Sequence, residues 1–193
     1  MRICFVGDSF VNGTGDPECL GWAGRLCAAA RRRGHDLTYY NLGVRRDTSA
    51  DVAARWSEEA ARRLPPEHDP RLVFSFGVND TTPEGDGTRV PAADSAANLR
   101  RVLAAAKGTY PVLFIGPPPV ADPDQYGRIG ALSRGFAVVC REAGVPCLPV
   151  CSSLSGTWMR EAAAGDGAHP GAGGYAELAG LVGAWEGWRR WCP

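Results

Sequence analysis

Short apolar runs alternate with longer amphipathic ones along the chain. Five runs are apolar over about five to seven residues: Arg2 to Gly7, Leu37 to Leu42, Arg71 to Gly77, Val112 to Gly116 and Pro146 to Val150. Runs of that length and character predict strands covered on both faces. Between them the apolar positions recur at helical spacing. Helices are predicted over Cys19 to Arg33, stopped by Gly34, and over Thr48 to Leu64, capped by Thr48 or Ser49. Further ones cover Ala92 to Lys107, Tyr126 to Ala143 and Gly173 to Trp191, with a short helix over Leu154 to Ala163. The order β-α-β-α-β-α-β-α-β-α implies a five-stranded parallel sheet between two helical layers, a three-layer α/β/α domain with right-handed crossovers. Residues 1–193 contain no linker and no repeat, and the length suits a single domain.

Three irregular stretches, Phe10 to Glu18, Thr81 to Pro91 and Pro117 to Gln125, follow the first, third and fourth strands. Ligands of such sheets bind at the carboxyl ends of the strands, so these loops should rim a site. Charge adds an exclusion. Acidic and basic residues balance at 21 each, which argues against a nucleic-acid partner or a membrane-surface role. No apolar run is long enough for an integral membrane segment. The opening run Arg2 to Gly7 is too short for a signal peptide, and seven cysteines are an odd number without framework spacing. A cytoplasmic protein with reduced thiols is expected. Cys140, Cys147 and Cys151 lack zinc spacing, so no metal is expected.

Four short motifs fall at predicted strand ends. They are Gly7-Asp8-Ser9-Phe10, Asn41-Leu42-Gly43, Gly77-Val78-Asn79-Asp80, and Asp166-Gly167-Ala168-His169-Pro170 after the fifth strand. Together, and in this order, they resemble the conserved blocks of the SGNH hydrolases, also called GDSL-type esterases and lipases. The resemblance runs over nearly the whole chain. It implies a flavodoxin-like fold and a serine nucleophile at Ser9, with Asp166 and His169 completing a triad. Gly43 and Asn79 would be oxyanion donors, and no cofactor is needed. Phe10 stands where the family motif often has Leu, and Arg46 where related sequences commonly have Gly.

The residues themselves lead the same way. A serine hydroxyl is a weak nucleophile and needs an adjacent base. Of three histidines, His35 and His68 lie in connections that enter strands, away from the site, and only His169 follows one. Asp166, three residues earlier in a Gly- and Pro-rich turn, can hold the imidazole Nδ1–H and leave Nε2 for the Ser9 proton. The backbone N–H groups of Ser9 and Gly43 and the side-chain amide of Asn79 suit an oxyanion hole. The expected reaction is hydrolysis of a small-molecule ester, with short acyl groups favoured because 193 residues leave no room for a lid domain. Phe10, Trp22, Tyr126, Trp158 and Arg45 are candidates to line the substrate cleft.

Blander readings accompany these. Ser9 could cap a helix, and Asp166 with His169 could form a surface turn. Asp8 and Asp80 read as loop-bracing acceptors rather than rival acids. Arg45 either binds a charged substrate or is solvated, and Arg46 either narrows the acyl or alcohol side of the cleft or is exposed. Gly171 to Ala176 fits G-x-G-x-x-A, but no strand precedes it, so dinucleotide binding is set aside. Trp185, Trp188 and Trp191 form a stripe that packs on the domain or makes a homodimer contact. Within the family, carbohydrate or natural-product O-deacetylase, thioesterase and lysophospholipase remain alternatives. Outside it stand a catalytically silent binder of acylated ligands and a nucleotide or phosphate binder, the latter without a phosphate-binding G-x-x-x-x-G-K-[ST] loop.

Overall fold

The computed structural model describes residues 1–193. In chain order the elements are β1 (Arg2–Gly7), α1 (Ser9–Asn12), α2 (Gly21–Arg32), β2 (Thr38–Gly43), α3 (Ser49–Ala61) and β3 (Pro70–Ser75). They continue with the two-residue strands β4 (Pro83–Glu84) and β5 (Gly87–Thr88), then α4 (Ala92–Ala106), β6 (Val112–Ile115), α5 (Pro123–Ala143), β7 (Cys147–Leu148), α6 (Thr157–Ala164), α7 (Ala172–Ala184) and α8 (Glu186–Arg189). Five strands form one parallel sheet in the order β2-β1-β3-β6-β7, and β4 and β5 make a separate antiparallel hairpin. This is the expected α/β architecture, with the strand order of a doubly wound sheet whose switch point lies between β1 and β3. Both strands meet in register up to Gly7 and Ser75, so the chain leaves them side by side and in view of one crevice. No helix is long and apolar enough to cross a membrane.

The two-residue side-chain period of β1 divides the core. Ile3 and Phe5 point into one apolar cluster with Trp22 and Leu26 of α2, Leu178 of α7 and Trp188 of α8. Cys4 and Val6 point into a second, with Val52 and Trp56 of α3, Leu99 of α4 and Phe136 of α5. Central strands are buried on both faces for this reason. β2 departs from that expectation: it is an edge strand, and Thr38, Tyr39, Tyr40 and Asn41 are half-buried or exposed. The last strand is shorter than predicted. Pro146 and Pro149 flank Cys147–Leu148, and neither has an N–H for a ladder.

Helix ends follow local chemistry. α3 starts in a capping box in which the Thr48 hydroxyl accepts from Asp51 N–H and the Asp51 carboxylate accepts from Thr48 N–H. α5 starts three residues before its apolar pattern, because Asp122 caps it and Pro123 suits its first position. The tail is two helices rather than one, since Trp185 takes extended dihedrals and lays its ring against Gly187. Trp188 is fully buried beside Phe5, at 6.3 Å between ring centroids. The centre of the tryptophan stripe is thus used inside the chain, while Trp185 and Trp191 line a groove of about 520 Å³ with Tyr110.

Gly7 is where β1 can tolerate no side chain. A Cβ there would sit 1.8 Å from the carbonyl oxygen of Ser75 and 2.6 Å from Val11. Backbone on both sides of the switch point leaves nothing to give way. Gly7→Ala is expected to destabilise the fold by ~3 kcal/mol or more, at the upper end for overpacking, as read from the urea midpoint.

Candidate active site

Ser9 stands at the first position of α1, immediately beyond β1, and is nearly buried. Asp8 caps this one-turn helix, its Oδ1 accepting from Phe10 N–H at 3.0 Å, and Gly13 ends it in the left-handed conformation. A short helix thus occupies the start of the stretch expected to be irregular. The rest of that stretch is organised by Asp16, whose carboxylate accepts from the N–H groups of Glu18, Leu20 and Gly21 and pairs with Arg25. Gly15, with φ +89°, then passes close enough to His169 that a Cβ would lie 3.2 Å from the His169 Cβ.

His169 arrives from the other end of the chain. Its Nε2 lies 2.8 Å from Ser9 Oγ, and its Nδ1 lies 2.7 Å from Asp166 Oδ2. With Nδ1–H donated to the carboxylate, Nε2 is the acceptor that faces the serine hydroxyl. Asp166 Oδ1 meanwhile accepts from the N–H groups of Ala168 and His169 at 2.9 and 2.8 Å. Partial desolvation pushes the Asp166 carboxyl up, but these N–H donors and the imidazole outweigh it and hold the group down, at about 2. It is therefore ionised throughout the working pH range.

The loop carrying this pair hangs between two helices that cap each other. Neither α6 nor α7 has a capping side chain of its own. Instead Glu177 of α7 accepts from Trp158 N–H at 2.7 Å, and Glu161 of α6 accepts from Gly174 N–H at 2.7 Å. Gly174, in the stretch that formally fits a dinucleotide motif, serves packing: a Cβ would meet Pro170 at 2.5 Å and Trp158 at 3.0 Å. This bracing joins residues on different helices, and the sequence carries no signal of it.

Phe10 and Trp158 do not line an open cleft. Both are buried, as is Trp22, which packs edge-on to Phe5. Phe10 stacks on the His169 ring at 4.8 Å and on Trp158 at 5.9 Å, and Trp158 Nε1 donates to Pro119 O. They form a wall behind the imidazole because the Asp8 cap turns Phe10 inward. Arg45 is exposed, and Tyr126 borders a groove along α5 with Arg134 and Cys151.

Asn79 follows β3, and its Nδ2 donates to Asp47 O at 2.9 Å. Gly43 packs on the turn that carries Ser9, where a Cβ would meet Asn12 N at 2.2 Å and Asp8 O at 2.7 Å. Its N–H is already donated to Asn41 Oδ1 at 3.0 Å. In the next residue, Val44 N–H bonds Gly7 O, and Asp47 N–H closes a β-turn on Val44 O. Arg46 occupies the third position of that turn with φ +71°, a conformation that favours glycine. The turn lies between Gly7 and Asn79, and Arg46 N–H meets no acceptor in the chain.

Comparison with known proteins identifies the family and the fold. Residues 5–177 match the model of the GDSL-like lipase/acylhydrolase family. The chain belongs to that family and is a carboxylic ester hydrolase. Among solved structures it is similar to an acetylxylan esterase from Geobacillus stearothermophilus, with a TM-score of 0.78 and 18% identity over 96% of this chain and 95% of that one. A lipase/acylhydrolase from Enterococcus faecalis gives a TM-score of 0.77 and 20% identity over 97% and 96% of the two chains. None of the curated protein sequences matches this chain.

Asp8 contrasts with Asp166. It is buried, and its Oδ2 meets no donor. Burial pushes its carboxyl up to about 7, helped by Asp80 and Asp47 and opposed by the Phe10 N–H. A folded value above the unfolded one of about 3.9 means the native state binds the extra proton, so this group's contribution to stability falls as pH rises from about 4 to 7. Asp8→Asn keeps an acceptor for Phe10 and removes the titration. Its thermal midpoint, relative to the parent, should rise steadily across that interval; a constant difference would show that Asp8 does not titrate there.

Proposed function

We propose that the chain acts as one hydrolase domain that cleaves short-chain acyl esters through an acyl-Ser9 intermediate. The observation that carries this is the continuous hydrogen-bonded line from Ser9 Oγ through His169 to Asp166, with contacts of 2.8 and 2.7 Å, at the switch-point end of the sheet. The structures similar to this chain include ones described as catalytic mutants of the Geobacillus esterase, altered at a serine, an aspartate and a histidine. That triad of residue types supports the same roles here.

In this reading Ser9 Oγ attacks the ester carbonyl carbon while its proton passes to His169 Nε2. Asp166 holds the resulting imidazolium by its Nδ1–H. The tetrahedral intermediate collapses, the C–O bond to the alcohol breaks, and His169 returns the proton to the leaving oxygen. Water then repeats the sequence on the acyl-enzyme, with His169 again taking and giving one proton, and frees the acid and Ser9.

The oxyanion takes its hydrogen bonds from Ser9 N–H, which as the first residue of α1 has no intrahelical acceptor, and from the Asn79 amide. For a third donor, Gly43 N–H would have to leave Asn41, whereas Arg46 N–H is free. Arg46 fits the role better, and Gly43 is explained by its packing against Asn12.

Short acyl groups are supported by the packing beside the triad, where Phe10 and Trp158 fill the space that an aliphatic channel would need. Within that class an O-acetyl group on a carbohydrate is a fitting substrate, in line with the acetylxylan esterase of like fold. Seven free thiols support a reducing, cytoplasmic setting. A homodimer contact would rest on Trp185 and Trp191 alone.

p-Nitrophenyl acetate, butyrate, octanoate and dodecanoate test the proposal. Ser9→Ala should lower kcat by about 10⁴-fold or more, and Asp166→Asn by about 10⁴-fold with KM little changed. Undiminished turnover in Ser9→Ala would dismiss the nucleophile. In the chain-length series kcat/KM should be highest for acetate and butyrate, and a preference for dodecanoate would reverse the acyl assignment.

A further inference from the structure

Arg55 lies at the middle of α3, half-buried, and hydrogen-bonds none of the triad residues. Its guanidinium makes four kinds of bond at once. Nε donates to Asp47 Oδ2 at 2.6 Å, Nη1 to Glu59 Oε1 at 3.0 Å, and Nη2 to Gly7 O at 2.9 Å and to Leu42 O at 3.0 Å. The acceptors have positions in common. Gly7 is two residues before Ser9, Leu42 directly precedes Gly43, and Asp47 follows Arg46 and offers its carbonyl to Asn79. One planar cation therefore ties the end of β1, which leads to Ser9, to the end of β2 and the turn that carry Gly43 and Arg46, and Asp47 passes the tie on to Asn79. Gly7 O, which also accepts from Val44 N–H, has a second lone pair to offer, and Nη2 reaches it and Leu42 O together while Nε of the same rigid group holds Asp47.

The helix that presents Arg55 is tied to the same site from its other end. Asp80, next to Asn79, accepts from Ser49 N–H at 2.7 Å, and Asn98 Nδ2 holds Ser49 Oγ at 2.9 Å. α3 thus relates the Asn79 segment to the strand ends, and Arg55 is the tie at its middle.

We propose that Arg55 is a positioning residue for the oxyanion-binding groups: its guanidinium sets the spacing between the Ser9, Arg46 and Asn79 donors. The inference rests on the reading of those groups as the oxyanion hole. Donors aimed where charge develops act in the transition state and not on the bound ester, so their misplacement lowers kcat and leaves KM.

The test uses p-nitrophenyl acetate with Arg55→Ala, Arg55→Lys, Asp47→Asn, Asn79→Ala and the Arg55→Ala/Asn79→Ala double variant, each checked by thermal melting. Arg55→Ala should lower kcat by about 100-fold, the loss typical of a displacement near 1 Å, with KM unchanged. Arg55→Lys keeps the charge and a donor for the carbonyls but cannot hold Asp47 and Glu59 in the same geometry at once, and should recover part of the loss. Millimolar guanidinium, well below denaturing levels, should restore part of the Arg55→Ala rate. Asp47→Asn loosens the same tie from the far end and should repeat the kcat-only loss on a smaller scale, which serves if Arg55 variants do not fold. The double variant should fall less than about tenfold below the worse single one, because both losses act through one set of donors. Full activity in Arg55→Ala and Asp47→Asn, a loss confined to KM, or losses that multiply in the double variant would overturn the proposal. If Ser9→Ala retains activity or Asn79→Ala retains its full kcat, the underlying reading of the site fails instead, and the two failures are told apart.

Discussion

β1 is hydrogen-bonded in parallel to β2 on one side and to β3 on the other, and the connections leaving β1 and β3 depart in opposite directions, to β2 and to β6. At that point two crossovers separate and leave a crevice that no helix covers. Gly7 marks the tightest spot, because the backbone of β3 comes within van der Waals contact of where a side chain would begin. Everything the site needs from the first half of the chain follows from this pairing. Ser9 leaves β1, the Arg46 turn leaves β2 and Asn79 leaves β3, so the three segments emerge as neighbours. Arg55 bonds the first two of these segments from behind, and Asp47 carries the tie on to Asn79.

The second half of the chain supplies the proposed base. His169 reaches Ser9 from 160 residues away, so its position depends on how α6 and α7 seat against the sheet. Mutual capping by Glu161 and Glu177 fixes those two helices to each other, and the stack of His169, Phe10 and Trp158 fixes the ring to the nucleophile's own turn. Two carboxyls near the serine then take opposite roles by environment. Asp166, 56% exposed at its side chain, gathers two N–H groups and an imidazole and stays charged. Asp8, buried with one N–H, favours the neutral acid and serves the backbone. The same side chain thus does electrostatic work in one place and structural work in the other.

Much of this was legible in the amino-acid sequence because it depends on short-range pattern. Apolar runs bounded by Gly and Pro set the five strands, amphipathic spacing set the helices, and their alternation implied a parallel sheet with its site at the strand ends. Ser9, Asn79, Asp166 and His169 stood out because their motifs sit at those ends, and the pattern of blocks matched the family to which the chain belongs. What the tertiary structure decided concerns pairs distant in sequence. Phe10, Trp22 and Trp158 read as cleft residues, yet they are buried, since the direction of a side chain on a helix beside the site follows from caps and packing rather than hydrophobicity. Gly43 read as an open donor, yet its amide bonds Asn41 and its missing side chain admits the Ser9 turn. Nothing in the sequence singles out Arg55 among the polar positions of its helix. Only the folded chain brings Gly7, Leu42 and Asp47 within reach of a single guanidinium, because hydrogen-bond partners 8, 13 and 48 residues away leave no local trace.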